Sequence, residues 1–303
     1  MPELIGDRSS LVVTRKPAEP RLAAAIGSGR GHRLMVAQLC IAGFIAILLV
    51  AVSLLPQFFA PYDPGEISLA NTLKSPSAAH VFGTDQLGRD VLSRVIHGTQ
   101  VSLFVAFCAV LLAGAGGGLF GIAAGYLGGV VDSVVMRLAD IQLALPAVIL
   151  AMILVGAIGF SILNLIVVLS LANWARFARV TRSEALTLRQ RDFVLLAKLA
   201  GASRLRIMLR HIVPNVINTF IVLATLDVGV IIILEATLSF LGLGVQPPTP
   251  SWGAMIADGR GYLETAWWIC AFPGAVLMVA VLSANLLGDA LRDRLSPNLA
   301  RAW

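Results

Sequence analysis

From Ile141 to Ala175 the chain runs for 35 residues without one Asp, Glu, Lys or Arg. A helix of that length, at about 1.5 Å per residue, reaches about 50 Å, and a bilayer core is about 30 Å thick. The run is too long for one crossing, so it predicts a helical hairpin turning between Gly156 and Asn164. Other uncharged runs extend from Leu34 to Phe59 and from Gln100 to Val131. Two further apolar runs, from Asn215 to Leu241 and from Trp267 to Leu287, carry only Asp227 and Glu235 as charges. In hydrocarbon a segment must satisfy its own backbone hydrogen bonds, and runs of this length do so as helices. The expected fold is therefore all-α and polytopic, with six transmembrane helices at about 34–59, 100–127, 133–156, 160–178, 215–241 and 267–288. Charged residues make up 13% of the chain, against about 25% in soluble domains.

The charges that exist are placed asymmetrically. If both termini lie inside, the cytoplasmic segments hold 19 Lys and Arg and the external loops, 60–99 and 242–266, hold 4. That bias fixes the expected orientation, with a basic tail at 1–33, a short tail at 299–303 and a long inner loop at 181–214. The tail is expected to be loosely ordered, and the first apolar run is too long for the core of a cleavable signal peptide. Basic residues gathered beside apolar runs, without interleaved aromatics, argue for topology and against nucleic acid.

The inner loop has order of its own. Between Arg176 and His211 there are nine Arg or Lys and only two acids, Glu184 and Asp192. Phe193, Leu196, Ala197 and Ala200 recur at helical spacing before Gly201, a C-cap glycine. Ser203 is placed to cap a second short helix with Leu205, Met208, Leu209 and Ile212 on one side, and Pro214 ends that helix or opens the next. Two readings stand on the residues alone: a docking knob for another protein, or a solvated loop whose arginines only set topology.

Other features bound the chemistry. Glycines four apart (Gly114/Gly118, Gly117/Gly121, Gly121/Gly125) suit close helix packing. Arg137 and Asp140 sit one turn apart and suit a pair. Asp227 and Glu235 are ionisable groups inside a span, a costly placement. For Asp227 a place on a translocation path and an interhelical packing role both stand, and Glu235, near the external end, suits a structural or gating role. In GTDQLGRD, Gly83 and Gly88 permit turns while Asp85, Arg89 and Asp90 suit a cap on the next helix, with substrate contact as the other reading. Asn164, Asn173 and Asn285 read as interhelical hydrogen-bond formers, and Trp267 and Trp268 as an interfacial belt. His32, His80 and His97 read as solvated. The histidines lack metal-ligand spacing, the three cysteines are isolated in apolar runs, and no lysine sits in a phosphate-binding loop. No cofactor is expected in this chain.

The stretch FVLLAKLAGAS…RHIVPN resembles the coupling ("EAA") loop of permease subunits in ABC importers. The motif's Glu-Ala-Ala falls on Leu195, Leu196 and Ala197 and its glycine on Gly201, so the acid and the first alanine are replaced by leucine. PYDP, FGTDQLGRDVLSR, EATLSFLGLGVQPPTPSWGAMI and NLLGDALRDRLSP resemble the dipeptide/oligopeptide/nickel class, and their order resembles its second, C-type, permease. The resemblance implies a type I importer permease in a bacterial inner membrane, carrying di- or oligopeptides, or alternatively nickel chelates or glutathione-like solutes. It implies a sister permease, two cytoplasmic ATPases that bind ATP and Mg, and an extracytoplasmic solute-binding protein. It further implies that Arg191, Asp192, Phe193, Leu195, Leu196, Ala197, Lys198, Gly201, Ala202 and Ser203 form the ATPase-coupling surface. A proton-coupled secondary transporter using Asp227 or Glu235 leaves the ordered loop unexplained. An intramembrane enzyme would need a nucleophile–base or metal motif that the spans lack.

Overall fold

The computed structural model describes residues 23–295, with side chains from Gln38 onward. The tail expected at 1–33 lies largely outside the described residues, as does 299–303. The chain divides into two units, residues 1–38 and 39–303. In the first, residues 23–38 are helical, so the helix starts ahead of the expected Leu34.

The described residues form eleven α-helices: α1 (Ala23–Leu54), α2 (Pro56–Phe59), α3 (Val91–Leu127), α4 (Gly129–Leu143), α5 (Ala147–Ile158), α6 (Ile162–Leu188), α7 (Asp192–Leu199), α8 (Arg204–Ile207), α9 (Val213–Phe240), α10 (Trp252–Gly259) and α11 (Trp268–Leu295). Four of the described segments are long and apolar enough to cross a membrane: α3, α6, the continuous stretch Arg204–Phe240 and α11. The pair α4 and α5, bent by 97°, makes a fifth if counted as one span. Residues Gln38–Leu54 of α1 add a shorter apolar helix.

The departures from the expected boundaries each have a local cause. α3 starts at Val91 rather than Gln100 because Asp90 caps it, its carboxylate accepting from Ser93 N at 2.8 Å. The expected third span breaks at Pro146, which has no N–H to give and crowds the preceding turn. The hairpin turn falls inside the expected window: Gly159, at φ +96°, ends α5, and Ser161 caps α6. α6 continues to Leu188, past the expected end at residue 178. Pro214 stands in the first turn of α9, so of the two expected roles it opens the next helix. A π turn over Met208–Ile212, with Val213 N donating to Met208 O, joins α8 to α9 and carries the backbone past the proline.

The main packing surface joins α3 to α6, which run in the same direction. A Cβ on Gly117, Gly121 or Gly125 would strike the backbone carbonyl of Trp174, Ala178 or Arg182 respectively. Both rows are spaced by four, so one helix's backbone lies against the other's along two turns. Hydroxyls cross the same seam, Thr181 Oγ1 donating to Gly118 O at 3.2 Å and Ser170 Oγ to Ala109 O at 3.2 Å. Gly114 and Gly118 face a different neighbour, Phe220 of α9. Above this seam, Val105, Ala109, Leu165, Leu169, Ile231 and Leu238 fill the core between α3, α6 and α9.

On the side that the charge bias predicts to be external (the outer side, opposite the inner side that holds 181–214), residues 60–90 fold over the start of α3. Gly83 and Gly88 hold positive φ (+72° and +73°), and neither site has room for a side chain against Lys74 O and Ser68 O. Trp268 is buried here, its indole N–H donating to Thr84 O at 3.1 Å. Of the two tryptophans read as an interfacial belt, only Trp267 is exposed. His80 is not solvated either, since its Nδ1 lies 2.9 Å from Asp90 Oδ1. Asn164 and Asn173 bond to backbone of their own hairpin and helix, not across helices.

The glycine seam yields a direct prediction. Gly121→Ala overpacks the α3–α6 contact and costs about 1–3 kcal/mol or more. Gly116 has open space around it, so Gly116→Ala gains about 0.5–1 kcal/mol of helix propensity. Thermal unfolding in detergent reads both: the melting temperature falls by several degrees for Gly121→Ala and holds or rises for Gly116→Ala. Equal behaviour of the two variants contradicts the packing assignment.

Candidate functional site: the inner-face element and the polar groups of the spans

At the inner end of the helices, α7 sits across the ends of α3, α6 and α9. Val194 is its one buried side chain, packed with Ile122 and Tyr126 of α3, Ala185 of α6, and Ile207, Ile212 and Val216. Ala197 and Ala202 close the edge of this cluster. The C-terminal turn is a Schellman motif. Gly201 N donates to Lys198 O at 3.0 Å and Ala202 N to Ala197 O at 3.1 Å, and Gly201 holds φ +78°. Ser203 then caps α8 by accepting from Arg206 N at 3.4 Å. The helix–glycine–helix unit is thus closed by its own hydrogen bonds and anchored on one side.

The other side of α7 is open. Leu199 is 84% exposed and Leu196 64%, with Phe193 and Leu195 beside them. Arg191, at the N-cap position, and Asp192 are exposed at the start of the helix. Lys198 turns toward the membrane side and lies 5.4 Å from the centre of the Tyr126 ring. Beneath it a cavity of about 410 Å³ is lined by Tyr126, Leu127, Lys198, Ala202, Arg204 and Ile207. The ten residues singled out in this loop therefore form one continuous element, in which Val194, unnoticed in the sequence, supplies the anchor. A buried residue following Phe193 inside an otherwise exposed short helix leaves too weak a periodic signal to read.

Three of the nine basic residues counted with the loop belong to α6 and point at carboxylates on its neighbours. Arg182 makes a two-pronged pair with Asp132 of α4, the Nη2–Oδ2 contact being 2.7 Å. Arg179 meets Asp140 of α4 at 2.7 Å, so Asp140 pairs across helices and not with Arg137 as its spacing suggested. Arg176 meets Asp227 of α9 at 2.6 Å. Asp227 is wholly buried and its second oxygen, Oδ2, has no partner among the described residues. The local i, i+3 rule favoured Arg137 for Asp140, but the close approach of α4 to α6 overrides it.

Glu235 has different company. It is wholly buried near the outer end of α9 and accepts from Ser102 Oγ of α3 at 3.0 Å and from Ser239 Oγ at 2.7 Å. No Lys, Arg or His bonds to it among the described residues. It ties α3 to α9, and Ser239 Oγ passes the chain on to the following loop by accepting from Val245 N at 3.2 Å.

On the outer face, Asp85 accepts from Leu87 N and Arg89 N, both at 2.9 Å, and from Arg89 Nε at 2.6 Å. Arg94 lies 3.5 Å from the same carboxylate. Asp90, besides capping α3, takes the Ser93 hydroxyl at 2.8 Å. These five residues (Gly83, Asp85, Gly88, Arg89, Asp90) form a tightly bonded turn leading into α3. Beside it an outer cavity of about 530 Å³ is lined by Gln86, Arg89, Arg94, Asp258 and Arg260, among others. Among the described residues no group of three or more His, Cys, Asp or Glu side chains is placed to hold a metal ion.

The family of binding-protein-dependent transport system inner membrane components matches residues 117–301. Over 294 residues the chain is 38% identical to the probable D,D-dipeptide transport system permease protein of Escherichia coli strain K12, covering 97% of each. It is 44% identical to the nickel transport system permease protein of the same strain, over 84% of this chain and 92% of that one. The di/tripeptide transport system permease protein of Pseudomonas aeruginosa strain UCBPP-PA14 is 40% identical over 84% of this chain and 86% of its own length. With its inner-face helical element, its apolar spans and a match across more than half its length, this chain belongs to the family of inner membrane permease components of binding-protein-dependent transport systems.

Proposed function

We propose that this chain is one of two permease subunits of an ATP-driven importer and forms, with a homologous sister permease, the pathway for di- or oligopeptides handed over by an extracytoplasmic binding protein. Two cytoplasmic ATPases, which bind ATP and Mg, take α7 into surface grooves, and the chain itself performs no hydrolysis. Both termini lie on the cytoplasmic side in this reading, as the positive-inside bias favours.

The observation that carries the reading is the two-sided construction of α7. One side is fixed to the inner ends of α3, α6 and α9 through Val194. The other offers Phe193, Leu195, Leu196 and Leu199 uncovered, an apolar surface of the kind that marks a protein interface. An element built so transmits a push from a partner to three spans without bending, because its turn is locked by the Gly201 hydrogen bonds. When the ATPases close on ATP, that displacement tips the inner ends of the spans and exchanges external for cytoplasmic access. The peptide-transport names of two relatives support a peptide cargo. The nickel permease, at 44% identity, favours a second reading in which the same machinery carries a nickel chelate.

Leu196→Glu and Leu199→Glu together test the docking surface. Losing two buried leucines costs about 3–6 kcal/mol of association at the usual value per side chain. Co-purification of the ATPases therefore falls at least about tenfold and uptake with it, while the permease still accumulates in the membrane. Retention of both association and uptake would overturn the reading. Gly201→Val forces a β-branched residue into positive φ and costs about 1–2 kcal/mol locally. It is expected to lower transport while sparing the spans, measured as uptake against the melting temperature of the purified subunit. Mass spectrometry of the solute on the co-purifying binding protein decides between peptide and nickel chelate.

A further inference from the structure

Along α6 one stripe of residues, Leu165, Leu169, Ala172, Arg176, Arg179 and Ser183, recurs at alternating intervals of four and three. Such positions share one helix face. The first three are buried apolar residues at 2%, 0% and 7% exposure. The last three are polar and exposed. The same face is thus sealed in the outer half and uncovered from Arg176 inward. The bend between α5 and α4 lies in the same region: α5 packs Ala151 and Val155 into the outer core, and the chain at Pro146 turns away by 97°.

Arg176 stands where the face changes. It is 14 residues from Ile162, about 21 Å along the helix axis, and Asp227 lies near the middle of α9. Both stand near the middle of their apolar helices. The Arg176 side chain is 43% exposed, and its partner Asp227 is 0% exposed. An uncovered guanidinium at that depth is not compatible with lipid, so this face meets water or protein. Its Nη1 is engaged by Asp227, and among the described residues its other N–H groups have no acceptor. A guanidinium is a flat fork that matches a carboxylate with two parallel hydrogen bonds. Asp227, bonded through one oxygen only, holds the fork from behind and partly neutralises it.

We propose that Arg176 is a cargo-reading residue of the translocation path, presenting its free N–H groups to the carboxylate of the transported solute, with Asp227 as the positioning residue behind it. This deepens the permease reading, on which it rests. Of the two readings open for Asp227, path and packing, it takes the packing one, because that carboxylate is buried, and gives the path role to Arg176.

The test uses the complete transporter in proteoliposomes, this chain with its sister permease, ATPases and binding protein, and radiolabelled alanyl-alanine as the probe. Arg176→Lys keeps a cation beside Asp227 but loses the fork, and uptake is expected to fall at least fivefold with ATP hydrolysis within twofold of wild type. Uptake at the wild-type rate in that variant overturns the proposal. The charge swap R176D/D227R restores an ion pair but turns a carboxylate toward the path, and uptake is expected to stay at least tenfold down. Recovery to within twofold of wild type would show a purely structural pair and likewise overturn it. The Lys variant decides the matter alone if the swap does not assemble. Failure of wild-type vesicles to accumulate any alanyl-alanine would overturn the dipeptide cargo and the carboxylate reader argued for it. Normal wild-type uptake with an indifferent Lys variant removes only the reader.

Discussion

The backbone contact between α3 and α6 is the constraint on which the other arrangements depend. Water supplies no hydrophobic drive between helices in a bilayer, so association there rests on close packing and interhelical hydrogen bonds. Gly117, Gly121 and Gly125 remove the side chains that would keep the two backbones apart. Thr181 and Ser170 exploit the proximity to bond across the seam. With α3 and α6 fixed, α9 lies against both, Phe220 meeting Gly114 of α3 and Phe177 of α6. Glu235 in turn can reach Ser102 of α3. α7 also depends on the seam, because its anchor Val194 rests on Ile122 and Tyr126 from one helix and Ala185 from the other.

The polar groups inside the spans follow from the same geometry. A buried carboxylate costs several kcal/mol unless it is paired or hydrogen-bonded. The two in α9 meet that cost in different ways. Asp227 takes an arginine that reaches across from α6, while Glu235 takes two hydroxyls and no cation. The difference matches their settings. The inner half of α6 carries an exposed arginine that reaches Asp227, whereas Glu235 lies buried between α3 and α9 beside Ser102 and Ser239. Arg179 and Arg182 extend the pattern inward, each bound to a carboxylate of α4. The α6 arginines thus serve as ties between helices as well as topological markers.

Much of this was legible in the residues. The uncharged runs predict helices because hydrocarbon leaves the backbone no other partner, and the glycines four apart predict the seam because only a missing Cβ permits it. Gly201 and Ser203 predict the turn and cap of the inner element, where the chemistry is local and the chain needs no distant partner to express it. What escaped was set by distance. Pro146 breaks the third span by a local rule that the long uncharged run masked. The partner of Asp140 comes from 39 residues away, and helix spacing alone pointed to Arg137. Trp268 and His80 carry amphipathic or polar side chains whose ordinary place is the surface, and only the fold of residues 60–90 over α3 buries the first and half-buries the second. Val194 anchors α7, yet one apolar residue among several has no mark of its own until the neighbouring helix ends are in position.

The stripe on α6 connects these points. A helix whose one face is apolar for its first half and cationic for its second cannot be covered by the same neighbour along its length. The neighbour changes at the crossover: α5 covers the outer half, and across the kink at Pro146 α4 meets the inner half through ion pairs to Arg179 and Arg182. The proline and the arginines are therefore two expressions of one requirement: a half-sealed helix, closed on the outer side and open to polar company on the inner. α7 rests on the inner end of that same helix through Ala185, beside the open half. There the ties to α4 and α9 are ion pairs that can part and re-form, while the glycine seam against α3 keeps the two backbones in register.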